Sequence, residues 1–176
     1  YSSNGGAGWA RIDEFGGKTV NAVLFAQNGD SYFGAADGLY QNTSDGFGRV
    51  ALSGESVTAL AWDDSHADSG KLLVGTAAGE VGTFENESYT KLMSGFEAIK
   101  GVAHLSSKDL FFVAASNGIF VSRTGAEAIK IQGNDDLTSV TGFDFGTSGS
   151  IKMVFNQTYR ILLTGEGAGV SSLSWS

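Results

Sequence analysis

Neither cysteine nor proline occurs anywhere in the 176 residues. The first absence removes disulfide cross-links and thiolate metal sites, so the fold has to be held by packing and backbone pairing. The second leaves every turn to Gly, Asn and Asp, and glycine is correspondingly abundant at 26 residues. Bases are scarce as well: 11 Lys and Arg stand against 19 Asp and Glu, a formal net charge of -8. Affinity for nucleic acid rests on clustered bases that release phosphate counterions, so no nucleic-acid partner is expected. Long apolar runs are missing, and those present end at Gly, Asn or Asp well short of the roughly 18 residues of a helical span, so no direct membrane insertion is expected. Windows of helical period are lacking too, which sets aside α/β and bundle folds. The chain opens on Tyr1 rather than Met, so a processed chain or part of a longer one is expected.

What is present is a repeat. An apolar residue, a spacer, a small residue, a second apolar residue, a spacer and a ring or apolar residue recur as Val20, Ala22, Val23, Phe25 and as Val57, Ala59, Leu60, Trp62. They return as Ile99, Gly101, Val102, His104 and as Val140, Gly142, Phe143, Phe145. The first positions lie 37, 42 and 41 residues apart, the length of one four-stranded propeller blade. A second segment recurs within each unit: Phe33 to Gly38, Val74 to Gly79 and Val113 to Gly118, each closing on a turn glycine. The fourth unit reads Val154-Phe155-Asn156-Gln157 there and lacks that glycine.

A fourth strand closes each unit, basic then apolar at Arg49-Val50, Lys91-Leu92 and Lys130-Ile131 and polar at Ser172-Leu173 in the last, within Val170 to Trp175, with an additional copy at Arg11-Ile12. Lys or Arg on an exposed edge strand discourages edge-to-edge aggregation, and these bases are read in that role. The pattern therefore predicts an all-β chain, a β-propeller of four-stranded antiparallel blades over about 19–53, 56–94, 98–132 and 137–175. An extra outer strand is expected over 9–13. Because that strand has no inner strands of its own, the propeller is expected to be larger than this chain, completed by further chain segments or another chain.

The run Gly29-Asp30-Ser31-Tyr32-Phe33-Gly34 into Gly38-Leu39-Tyr40, followed by Val57 through Thr76, resembles the propeller repeats of two-component-regulator sensor domains. It is similar, less specifically, to WD repeats, although their diagnostic Gly-His and Trp-Asp pairs are missing. The resemblance covers about residues 9–176 and implies architecture, not activity. Thr43-Ser44-Asp45-Gly46-Phe47 approaches the aspartate turn of sialidase-type propellers, with Phe47 where that motif wants glycine.

Propeller topology predicts that one end of the disc collects Asp13, Glu14, Asp37, Glu55, Glu80, Glu97, Asp135 and Asp136, opposed by Lys18 alone. Such a surface would steer basic partners or cations. The opposite end is acidic too, with Asp30, Asp63, Asp64, Asp68 and Glu85, so a solvated acidic surface is the simpler reading. Neither Asp135-Asp136 nor Asp63-Asp64 with Asp68 has the graded spacing of a calcium loop, and turn chemistry accounts for Asp there, so no metal is expected. No cofactor is expected either: Gly165 to Gly169 lacks the lysine of a phosphate loop and lies between strands. His104 fills the slot of Phe25, Trp62 and Phe145 and is expected as a packed ring, while His66 sits in a polar loop and no nucleophile-elbow pattern accompanies the serines. Asn42, Asn86 and Asn156 begin glycosylation sequons, the first two expected in equivalent loops between third and fourth strands.

These features predict a non-catalytic module of an extracellular, cell-surface or periplasmic protein, offering loops on a rigid disc to a protein or glycan partner. A rival reading is a glycoside hydrolase or lyase fragment, which needs two carboxyl groups a few ångströms apart; Asp13, Asp37, Glu55 and Asp136 are its candidates. A ligand-sensing domain of a signalling receptor is a third, implied by the resemblance.

Overall fold

The computed structural model describes residues 2, 4–26, 29–43, 46–63, 70–105, 109–123 and 127–130, together with the strand backbones 140–145, 151–155 and 162–163. Strands β1 (Val20–Phe25), β2 (Ser31–Ala35), β3 (Gly38–Thr43) and β4 (Gly46–Ala51) pair in chain order as one antiparallel sheet. Strands β5 (Val57–Asp63), β6 (Lys71–Thr76), β7 (Val81–Glu85) and β8 (Ser88–Met93) form the second. The third is β9 (Ile99–Leu105), β10 (Leu110–Ala115), β11 (Gly118–Arg123) and β12 (Ala128–Lys130). Strands β13 (Val140–Phe145), β14 (Ile151–Phe155) and β15 (Leu162–Leu163) begin a fourth, whose expected last strand at 170–175 lies outside the described residues. The inner strands β1, β5, β9 and β13 stand side by side in that order. The chain is thus a β-propeller of four-stranded antiparallel blades, three of them complete among the described residues.

Alternation along each strand gives every blade two apolar faces, one for each neighbour. Leu24, Tyr32 and Leu39 of the first blade pack on Val57, Leu72, Val74 and Phe84 of the second. Ala59, Leu73 and Val81 of the second pack in one cluster with Ile99, Val102 and Val113 of the third. The opening residue of an inner strand seats over a glycine of the preceding blade. A Cβ at Gly34 would lie 2.7 Å from Val57 Cγ1, and one at Gly75 would run into Ile99 Cγ2. The second residue of each of the first two inner strands then clasps the next blade: the Asn21 amide donates to the Val57 carbonyl at 2.9 Å, and the Thr58 hydroxyl donates to the Ile99 carbonyl at 2.6 Å.

The strand expected over 9–13 does not form. Residues 9–12 are irregular, and Asp13–Phe15 make a single 3₁₀ turn ended by Gly16 in the left-handed region. A basic-apolar pair marks an outer strand only where a third strand waits beside it, and Arg11-Ile12 has none among the described residues. Burial of Phe15 directs the segment instead. Its ring lies 5.4, 5.2 and 5.0 Å from those of Phe33, Tyr40 and Phe47, covering the outer part of the first blade's free face.

Candidate functional site

The loops expected to share one end of the disc do meet there. The Ala36 amide donates to the Thr19 carbonyl, Ala77 to Ser56 and Ser116 to Ala98, tying each β2–β3-type turn to the connection that enters its own blade, and the Gly54 amide donates to the Asp37 carbonyl, tying the first such turn to the connection into the second blade. Gly79, at φ 79, backs directly on the carbonyls of Phe96 and Glu97, a contact that leaves no space for a side chain.

The acids at this end do not act as one surface. Asp37 is 2.9 Å from the Lys18 ammonium and 3.5 Å from the Arg49 guanidinium. Lys18 also donates to the Tyr40 hydroxyl at 2.7 Å, and that hydroxyl lies 3.1 Å from both Asp37 oxygens. The ammonium is 5.2 Å from the Tyr40 ring centroid, so it sits at the hydroxyl end, and hydrogen bonding governs that contact more than the ring face. The hydrogen bond from Lys18 holds the Asp37 carboxyl below its ordinary value, burial opposing, and the same bond, with that to Tyr40, holds Lys18 above its own. Glu80 is taken up likewise, 3.0 Å from Lys91.

The expectation that Lys18 alone opposes these acids is therefore corrected: Arg49 and Lys91, read from the sequence as edge protection, also fold back onto turn acids of their own blades. The signal was present as a spacing, since Asp37 precedes Arg49 by 12 residues and Glu80 precedes Lys91 by 11. Asp13, Glu14, Glu55 and Glu97 remain exposed. Glu55 and Glu80 converge on one group, the Tyr89 hydroxyl, which burial first and then these two charges push up to about 12. Asp135 and Asp136 lie outside the described residues.

At the other end His104 is a packed ring, as its slot implies, and more. It stacks on Phe111 at 4.2 Å between centroids, and its side chain is almost wholly buried. Its Nδ1 is 2.8 Å from buried Asp63 in the second blade, and its Nε2 is 3.2 Å from Asp109. Both ring nitrogens thus face carboxylates and neither faces a serine, and Asp63 serves an inter-blade bridge. Asp64, His66 and Asp68 lie outside the described residues. No cluster of three or more metal-ligating side chains with metal-site geometry occurs among those described.

The sequons are not equivalent. Asn42 is exposed within β3, in register with Ser31 and Phe47, not in a loop. Asn86 and Glu87 form the tip of the β7–β8 hairpin at φ 50 and 61, the two-residue turn in which Asn is favoured for its backbone alone. Asn156 is outside the described residues.

No family model matches the chain, and neither does any curated protein. Solved structures match it at low identity. The extracellular domain of BT4673 from B. thetaiotaomicron, described both as a one component system and as a hybrid two component system, aligns over 85% of this chain and 22% of its own length, with 16% identity and a TM-score of 0.69. A nidogen/laminin complex aligns over 84% of this chain and 60% of its own, at 14% identity and TM-score 0.66. The computationally designed Ika4 protein aligns over 85% and 92%, at 19% identity and TM-score 0.61. The chain spans about a fifth of the BT4673 domain, and these likenesses bear on the fold. No helix among the described residues is long and apolar enough to cross a membrane.

Proposed function

We propose that the chain is a non-catalytic binding module of an extracytoplasmic protein, presenting the loop end that carries Glu55 and Glu97 to a protein or glycan partner. One observation carries this reading: the described polar groups best suited to chemistry are engaged in structural pairs, within a blade or between two. Asp63, His104 and Asp109 bridge two blades, while Asp37 and Glu80 are neutralised by Lys18, Arg49 and Lys91. Glu55 and Glu97, left exposed, stand on separate loops, suited to steering a basic or hydroxyl-rich surface. The likeness to the extracellular domain of BT4673 supports the location and favours a second reading, in which the partner is a small ligand and the module reports its presence to a signalling chain.

Binding of the chain to a panel of oligosaccharides and basic peptides tests the proposal. Glu55→Gln and Glu97→Gln should each weaken the best binder about two- to fivefold, the range of a partly exposed charge contact. Asp37→Asn and Glu80→Gln should leave affinity unchanged while altering stability. Turnover of simple glycosides or sialosides, abolished by one Asp or Glu substitution, would overturn the reading.

A further inference from the structure

On the outer rim, where the first blade meets the second, the fold leaves a groove open. It has a volume of about 470 Å³ and lies between β4 and the tip of the β7–β8 hairpin, lined among others by Gln41, Gly46, Gly48, Val50 and Glu87. Gly46 and Gly48 pair with Thr43 and Gln41, on the face of the first blade that turns to the second. A Cβ at either glycine would meet nothing within 4 Å. Gly46 stands at φ 128 and so has a backbone reason to be glycine, whereas Gly48 has neither a positive φ nor a crowding neighbour. In the second blade the same register positions carry side chains: Thr83 faces Thr90 where Gln41 faces Gly48, and Glu85 faces Ser88 where Thr43 faces Gly46. Glycine inside a strand, with no cause in its own chain, marks a place where another backbone can come close.

Beside this groove β4 is a free edge. No described strand pairs its outer side, so alternate amides and carbonyls along it are left to solvent. The base expected to guard that edge is withdrawn, because Arg49, opposite Tyr40 on the other face of the strand, lies 3.5 Å from Asp37. Among the described lining residues the one charge is Glu87, exposed at the hairpin tip and without an ion pair to any described residue. We propose that the groove takes an extended basic peptide segment, which adds its main chain to the outer edge of β4 and directs a Lys or Arg side chain to Glu87. The bare glycine face admits the incoming strand, whose ladder exchanges hydrated backbone groups for paired ones, and the free carboxylate selects its charge. A second copy of the chain is a poorer occupant, since it brings its own formal net charge of -8. The groove is separate from the loop end that carries Glu55 and Glu97, so either surface can fail a binding test without the other.

Fluorescence anisotropy with labelled synthetic heptapeptides tests this on the 176-residue chain. An alternating Lys-Val peptide should bind, and its Glu-Val counterpart should bind at least about tenfold more weakly. A Lys-Val peptide with proline at its centre, which cannot donate to the ladder, should lose about tenfold as well. Gly48→Val fills the groove and should weaken the Lys-Val peptide about tenfold, while Glu87→Gln should weaken it about two- to fivefold. Both positions are exposed, so circular dichroism and the melting temperature should match the parent. Thr90→Val, at the matching position of the second blade, should leave affinity unchanged. Bound peptide should slow amide exchange in β4 and not in β8. No binding at millimolar peptide, equal affinity for the proline-containing peptide, or an affinity indifferent to both Gly48→Val and Glu87→Gln would overturn the inference. A concentration-dependent dimer abolished by Gly48→Val would overturn it too, by giving the edge to a second copy.

Discussion

His104 holds a position that the repeat elsewhere gives to Phe25, Trp62 and Phe145, and its ring still does a hydrocarbon's work by stacking on Phe111. What it adds is a polar bridge to Asp63, 3% exposed, one blade away. A buried carboxylate that loses a partner keeps its desolvation cost. His104→Phe should therefore lower unfolding stability by about 1–3 kcal/mol in urea titrations. Combined with Asp63→Leu, it should cost less than the two single changes added, because the stranded carboxylate is gone. Asp37 is a different case, exposed enough that its effect reads better as pH dependence. Its folded value lies below the ordinary 3.8, so its stabilising contribution is present above that pH and is lost as pH falls through the folded value. The melting temperature of Asp37→Asn should accordingly trail the parent near neutrality and converge with it on acidification below about pH 4. A gap that stayed constant to pH 2 would show that the Lys18 pairing does not act through ionisation.

Each blade is a meander, and in the first two the second strand offers glycine to the neighbour, at Gly34 and Gly75, where the third has Ala114. Val57 and Ile99 approach so closely there that a larger residue has to push adjacent blades apart. Gly75→Val should cost about 2–4 kcal/mol and depress the denaturation midpoint, whereas the same change at Gly48, which meets nothing within 4 Å, should be far milder. The blades were legible because an inner strand must be small and apolar in a fixed alternation, and that demand returns with every unit. The turn glycines were legible for their φ. The strand over 9–13 was misread because two residues, Arg11-Ile12, carry too little pattern to distinguish an edge strand from a loop, and pairing depends on a neighbour that local sequence does not reveal. The bridges were missed for a related reason. Asp63 and His104 stand 41 residues apart, as do Thr58 and Ile99, one full repeat, so either contact becomes visible only after blades are stacked and equivalent positions compared. The acidic loop end was legible as a list of carboxyls and illegible as a surface, since Arg49 and Lys91 reach their acids across a blade.

Taken whole, the molecule is a row of similar sheets, each held chiefly by its immediate neighbours, so local stability should follow position in the row. The second and third blades have a partner on both faces. The first has one blade and a short N-terminal cover, and its inner strand shows the consequence: β1 is exposed or half-buried throughout, while β5 and β9 bury their opening residues completely. Opening of β1 exposes little apolar surface that water does not already reach, so it costs less than opening β5, which uncovers Val57 and Ala59 against two neighbours. Amide exchange of Val20–Phe25 should run at least about tenfold faster than that of Val57–Asp63, a difference of roughly 1.4 kcal/mol in opening free energy. Equal protection of the two strands would mean that the N-terminal segment, through Phe15, stabilises the whole first blade as well as a neighbouring blade would.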